Sequence, residues 1–111
     1  MINQRDVILL SFPFSDLKSS KVRPTIVLSK TSYNKKHDDF IAVPLTTNLR
    51  KEQYSLVLTN KEMESGHLIL DSRIKVDRIF SVSKKLTRMR IGQVRQDTFE
   101  KIIDVLLELL S

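Results

Sequence analysis

Short apolar runs separated by polar turn material make up most of the chain. Val7 to Phe12, Thr25 to Ser29, Phe40 to Leu45, Tyr54 to Thr59 and Arg73 to Val82 are rich in Val, Ile and aromatic residues, and each predicts a β-strand. Val7-Ile8-Leu9-Leu10 and Ile26-Val27-Leu28 are near-continuous rather than alternating. That pattern suits strands buried on both faces, in a small closed barrel or beneath a helix. Tyr54, Leu56 and Leu58 alternate with Ser55 and Thr59, which predicts one wet face.

Two segments carry helical signals. Asn60 to Gly66 reads as a short helical turn with Asn60 as N-cap and Gly66 as terminator. In the tail, Asp97 and Glu100 form a capping-box-like pair, and Phe99, Ile102, Ile103, Leu106, Leu107 and Leu110 recur at helical spacing. This predicts an amphipathic helix. Val105 and Leu109 widen its apolar stripe, leaving Lys101, Asp104 and Glu108 for water; most of the stripe is expected against the barrel and part of it against a partner subunit. The elements together predict a mainly β α+β fold: a small SH3-like curved antiparallel barrel with a C-terminal amphipathic helix. No repeat or linker divides residues 1–111, so a single domain is expected.

Composition narrows the chemistry. The 111 residues suffice for one hydrophobic core, and the absence of cysteine excludes disulfides, thiolate zinc sites and a cysteine nucleophile. The two histidines, His37 in a polar loop and His67 at an expected strand start, match no metal-site spacing, so neither metal nor cofactor is expected. No apolar stretch approaches membrane-spanning length, and Arg5 and Asp6 follow the N-terminus at once, so a soluble, cytoplasmic protein without signal peptide or membrane span is expected. The net charge is +6. Between Arg73 and Arg95 stand Arg73, Lys75, Arg78, Lys84, Lys85, Arg88, Arg90 and Arg95 against Asp77 alone, a local footprint for a polyanion. A solvated, solubilising face accounts for the composition equally well.

Two constellations can do chemistry. In Lys21-Val22-Arg23-Pro24 the proline biases Arg23 toward extended geometry, putting its guanidinium at a stiff strand entrance where it can hold a phosphate. In Arg73-Ile74-Lys75-Val76-Asp77, period-two geometry puts three charges on one sheet face and the aliphatics on the other. The bland alternative there is a surface ion-pair ladder.

The stretch from Asp6 to Ser29, with its strand, loop, Arg23-Pro24 and Val/Leu-rich strand ending in Ser, resembles the opening of the MazF/PemK toxin family, and the resemblance continues through Ala42-Val43-Pro44-Leu45-Thr46-Thr47 over the whole chain. It implies the family's PemK-type barrel and the toxin half of a type II toxin-antitoxin pair. The implied protein is a homodimeric, metal-independent endoribonuclease that cuts single-stranded mRNA at a short sequence by attack of the ribose 2′-hydroxyl. It also implies a cognate antitoxin with an acidic, partly disordered tail, operator DNA bound through the antitoxin complex, and no membrane. The family's cleavage-associated arginine and threonine map to Arg23 and Thr46, with Thr47 an adjacent alternative. Its later basic-x-Asp pattern maps to Lys75 and Asp77. RNA binding is expected from Lys18, Lys21, Thr47, Asn48, Arg73 and Phe14, with Tyr33 a second stacking candidate.

Such cleavage needs a base for the 2′-hydroxyl, charge stabilisation at phosphorus and an acid for the leaving 5′-oxygen. Arg23 serves the second need, and Thr46 can hold another phosphate oxygen. For proton transfer, Asp77 beside Lys75 is one candidate pair and His37 another, with a surface role favoured for His37. The chain departs from the family pattern at Lys75, where PemK-type members carry arginine, at the first loop, which lacks a histidine, and at Arg5, where the family has glycine. Two rival readings of the same fold stand beside cleavage: a gyrase-poison-like toxin without catalysis, and a nucleic-acid-binding domain that no longer cuts.

Overall fold

The apolar runs become strands whose pairing builds the site. The computed structural model describes the backbone of residues 1–13 and 20–111 and the side chains of residues 1–11 and 21–111. Strands β1 (Asp6–Pro13), β2 (Ser20–Val27), β3 (Asp39–Thr46), β4 (Ser55–Leu58), β5 (Met63–Gly66), β6 (Ser72–Lys75), β7 (Phe80–Ser83) and β8 (Thr87–Val94) are joined by helices α1 (Thr31–Lys36) and α2 (Gln96–Leu110). They form one antiparallel eight-stranded sheet in the order β4-β6-β3-β2-β1-β8-β5, with β7 paired to β3 off this path. The sheet curls into a half-barrel, the mainly β α+β architecture expected from the pattern.

The near-continuous apolar runs are buried on both faces. Val7, Ile26 and Val43 enter one core cluster, whereas their neighbours Ile8, Val27 and Ala42 enter a second with Leu10, Phe40 and Val82. Helix α2 covers the first cluster with Phe99 and Ile102, assisted by Ile103, Val105 and Leu106. Its apolar stripe outruns this contact, since Leu107 and Leu110 remain exposed. No helix among the described residues is long and apolar enough to cross a membrane.

Strand β3 changes partner along its length. Asp39 to Ala42 pair with β7, whereas Leu45 and Thr46 pair with β6, and a 3₁₀ turn at Val76–Arg78 carries the chain between those partners. The run from Arg73 to Val82 is therefore two short strands, because buried Val76 anchors the turn in the core while the backbone leaves the sheet. Residues 60–66 also depart from expectation. Only Asn60–Glu62 is helical, capped by Thr59, whose backbone N donates to Glu62 Oε1 at 2.8 Å, and the rest is β5. Asn60 instead accepts from the Leu68 backbone N at 2.7 Å.

Strand β8 and helix α1 lie where no element was expected. Arg88, Met89 and Arg90 are all exposed, which hides the strand's period, and α1 is held by buried Asn34, whose Nδ2 donates to the carbonyls of Ile2 at 3.1 Å and Ser29 at 3.0 Å. Helix α2 begins without the expected cap: its N-cap is Arg95, with no side-chain cap bond, and Asp97 Oδ1 accepts from the next residue's amide, that of Thr98, at 2.8 Å. Gly66 (φ 75°) faces Gly92 across β5 and β8, where a Cβ would stand 2.0 Å from the Ile91 carbonyl oxygen. Arg5 has φ 77°, a left-handed conformation that glycine adopts at least cost. Its guanidinium Nη1 bonds the Val94 carbonyl at 2.9 Å.

Candidate functional site

The second core cluster opens at one end into a groove. Along β3, alternate residues share a face, so buried Phe40 and Ala42 are followed by half-buried Pro44 and Thr46. On β2 the same alternation carries buried Val27 and Thr25 out to exposed Arg23 and Lys21. Thr25 ties this face down through its hydroxyl, which donates to the Ile8 carbonyl at 3.1 Å. The groove, about 390 Å³, is lined by Lys21, Arg23, Pro44, Leu45, Thr46, Lys75 and Phe80. Residues more than fifty positions apart thus converge, because β3 pairs with β2 at one edge and with β6 and β7 at the other.

A smaller cleft of about 130 Å³ shares Thr46 and Lys75 with the groove and adds Asn48, Arg50 and Glu52. Thr46 also shapes the loop beyond β3. Its hydroxyl oxygen accepts from the Asn48 backbone N at 3.1 Å, and Asn48 Oδ1 accepts from the Arg50 backbone N at 3.1 Å. The hydroxyl proton of Thr46 remains available to a ligand oxygen.

Lys75 forms an ion pair with Glu52. The hydrogen bond from Lys75 and its charge hold the Glu52 carboxyl below its ordinary value, with smaller help from Arg50 and Arg78. Glu52 is therefore an anion at neutral pH, and Lys75 is already engaged by it.

The basic segment from Arg73 to Arg95 is not one patch. Arg73 is buried, Arg90 pairs with the fully buried Asp6 at 2.9 Å, and Arg95 pairs with Asp97 at 3.1 Å. Asp6 also accepts from the Asn3 backbone N at 3.0 Å, so Arg90, although exposed, is tied through its pair with Asp6 to the strand entrance.

The expected site residues separate as follows. Arg23, Lys21, Thr46 and Lys75 line the groove, and Asn48 lines the adjoining cleft. Thr47, one residue on, lies on the opposite face in an apolar groove of about 330 Å³ with Leu9, Val22, Leu68, Ile69, Leu70 and Ile91. Asp77 is exposed on the 3₁₀ turn, outside the sheet alternation that was expected to align it with Arg73 and Lys75. The carboxylate on Lys75 is Glu52 instead. Phe14 and Lys18 fall outside the described residues.

His37 caps the end of α1 and stacks on Tyr33, with ring centroids 3.9 Å apart, so one face of the Tyr33 ring is already in use. His67 lies beyond the end of β5 rather than at a strand start. The groove residues that sequence reasoning did not single out are Phe80, Leu45 and Pro44, with Arg50 and Glu52 in the cleft. Arg50 and Glu52 carried only the signal of charge in a polar loop, and their meeting with Lys75 is a tertiary contact.

The half-barrel carries on one sheet face a cationic groove, floored by apolar side chains and edged by a threonine. The chain belongs to the PemK-like, MazF-like toxins of type II toxin-antitoxin systems, whose family model matches residues 3–110. Among solved structures it is similar to MazE-MazF from Deinococcus radiodurans (TM-score 0.82, 18% identity, covering 98% of this chain and 95% of that one). It is also similar to an endoribonuclease from a Mycobacterial species in complex with its cognate antitoxin (TM-score 0.78, 20% identity, 99% and 95% covered). A further Mycobacterial endoribonuclease matches with a TM-score of 0.74 and 23% identity, covering 98% of this chain and 90% of that one. At these identities the likeness is one of fold. No curated protein sequence matches the chain.

Proposed function

We propose that this toxin is a metal-independent endoribonuclease that cuts single-stranded RNA in the groove between β2, β3 and β6. The observation that carries the reading is the convergence of Arg23, Lys21, Thr46 and Lys75 on one groove. Arg23 offers a planar fork to two non-bridging phosphate oxygens, and Thr46 donates its hydroxyl proton to the same group. The ribose 2′-oxygen attacks phosphorus, the bond to the 5′-oxygen breaks, that oxygen takes up a proton from solvent water, and the products are a 2′,3′-cyclic phosphate and a 5′-hydroxyl.

Glu52 takes the 2′-hydroxyl proton in this scheme, because it is the anionic side chain of the cleft that adjoins Thr46. Lys75 orients that carboxylate and lends positive charge to the phosphate. Lys21 and Asn48 contact the RNA on either side.

Family membership supports the remaining parts of the reading: a cytoplasmic homodimer, a cognate antitoxin whose acidic tail covers the groove, and operator DNA bound through their complex. The exposed side chains of Ile69 and Leu70 beside the apolar groove are a surface that a second copy would cover. Sedimentation of a monomer at micromolar concentration would remove the dimer from this account.

The site is tested by the adjacent threonines. Thr46→Ala is expected to lower cleavage of a long single-stranded RNA by about 10²-fold, the scale of losing one transition-state donor, whereas Thr47→Ala retains activity. Equal effects of the two substitutions would contradict the groove as the site. A purified protein that binds RNA without cutting it would favour the binding-only reading, and one that does neither would favour a protein target.

A further inference from the structure

Strand β4 ends the sheet on one side, and its hydrogen-bond phase follows from a single contact. The Val76 backbone N donates to the Tyr54 carbonyl at 3.1 Å, in line with the register that sets Ser55 opposite Lys75 and Val57 opposite Arg73. Bonded and non-bonded pairs alternate along an antiparallel ladder. Leu56 and Leu58 therefore turn their N–H and C=O groups to β6, whereas Ser55 and Val57 turn theirs away from the sheet. Among the described residues these outward groups have no backbone partner.

The two edges of the sheet differ. Strand β5 carries Glu64, an irregular register and the left-handed Gly66, all of which discourage further pairing. In β4, Ser55-Leu56-Val57-Leu58 has no charge and no proline, its register is regular, and Val57 is 49% exposed. The next residue in the outward phase is Thr59, whose N–H is already taken by Glu62 Oε1. At the other end, left-handed Tyr54 (φ 58°) stops the strand. The open stretch fits a few residues of an incoming strand.

The surroundings select the chemistry of that strand. Exposed Arg50 and Lys51 precede β4, Lys61 follows it, and Arg78 acts on Glu52 from the turn after β6. Of the carboxylates nearby, Glu52 is engaged by Lys75 and Glu62 by Thr59, which leaves Asp71 and Asp77 against those cations. Leu56 extends the first core cluster on one face of the strand, whereas Ser55 and Val57 share the other face with Lys75. An extended segment that alternates aliphatic with acidic side chains matches both faces.

We propose that the open edge of β4 is an addition site for an extended acidic peptide segment, which joins the sheet as a further strand. The inference deepens the reading of an antitoxin tail and rests on it: main-chain bonds to Ser55 and Val57 hold the tail, and its carboxylates lie beside Arg50 at the cleft. A peptide fits better than RNA, because the outward groups recur at every second residue in the plane of the sheet, the period of an extended peptide backbone.

The probe is a short, terminally blocked peptide in which Asp and Glu alternate with Val and Leu. In the free protein the Leu56 and Leu58 amides should exchange slowly with solvent and those of Ser55 and Val57 quickly; the peptide should slow the second pair. Val57→Pro removes an outward N–H without touching the ladder to β6, so the melting temperature should hold while affinity falls about tenfold or more. Methylating the peptide's own alternate amides needs no protein variant: one set should abolish binding and the other should spare it. A peptide with Lys in place of its acids should not bind.

No binding of the acidic peptide would overturn the proposal, as would binding that leaves the Ser55 and Val57 amides fast, or equal effects of the two methylated sets. Slowing of these amides by a cleavage-blocked 2′-O-methyl RNA and not by the peptide would overturn it in favour of RNA. Slowing that rises with protein concentration alone would overturn it in favour of a second copy. Failure of the wild-type protein to cut RNA would instead bring down the cleavage reading and leave the peptide result standing.

Discussion

Replacing Arg23 by alanine separates chemistry from folding more cleanly than any other change in the groove. Arg23 is exposed on β2, and its backbone is held by the register that sets it opposite Leu10 on β1. Among the described residues no carboxylate pairs with its guanidinium, so the substitution breaks no ion pair. The stability change should stay within about 0.5 kcal/mol, as for surface sites without special contacts. The catalytic cost is of another order. Removing one preorganised donor to a developing oxyanion typically costs about 10²–10³ in rate, or about 2.7–4 kcal/mol of transition-state stabilisation. Arg23→Lys keeps the charge and loses the fork, so it should fall between wild type and alanine. Single-turnover cleavage of a defined RNA, run beside thermal unfolding of each variant, gives both quantities. A folded Arg23→Ala protein that cuts at the wild-type rate would refute the reasoning.

Two further outcomes follow from the geometry. The depressed pKa of Glu52 keeps it charged until the pH falls below its ordinary value of 4.5, so both its pairing with Lys75 and its capacity as a base are present above that value and lost in acid. A pH–rate profile should therefore be flat on its acid side down to that range in wild type. A descending limb near pH ~6.5 would point to histidine instead. Gly66→Ala should destabilise by more than about 1–2 kcal/mol, the cost of a left-handed L-residue alone, because its Cβ would also meet the Ile91 carbonyl oxygen at 2.0 Å. An unchanged melting temperature in that variant would show that β5 and β8 are not packed as described.

Legibility in the sequence followed the range of the interactions. The two-sided burial of Val7-Ile8 and Ile26-Val27 and the stripe of α2 were readable because apolar periodicity is a local signal. Strand β8 was not, because its exposed Arg88, Met89 and Arg90 break the alternation that marks a half-buried strand. The extension of the Arg73-Lys75 face to Asp77 failed because alternation holds only while the backbone stays extended, and Val76 enters the core at a 3₁₀ turn.

At the site, Arg23 and Thr46 stood out through motif and proline stiffening. The pairing of Glu52 with Lys75 spans 23 residues and exists only once the loop after β3 folds back. The burial of Arg73 ran against the ordinary expectation that arginine is exposed, so it emerged only from the packing of β6 between β3 and β4.

The central claim is that the groove cuts RNA without a metal, and incubating the purified wild-type protein with a long single-stranded RNA in excess chelator tests it most directly. Discrete fragments ending in 2′,3′-cyclic phosphate and beginning with 5′-hydroxyl are expected, with the cut positions giving the recognised sequence. Intact RNA after incubation with folded protein, across several RNAs of unrelated sequence, would contradict it.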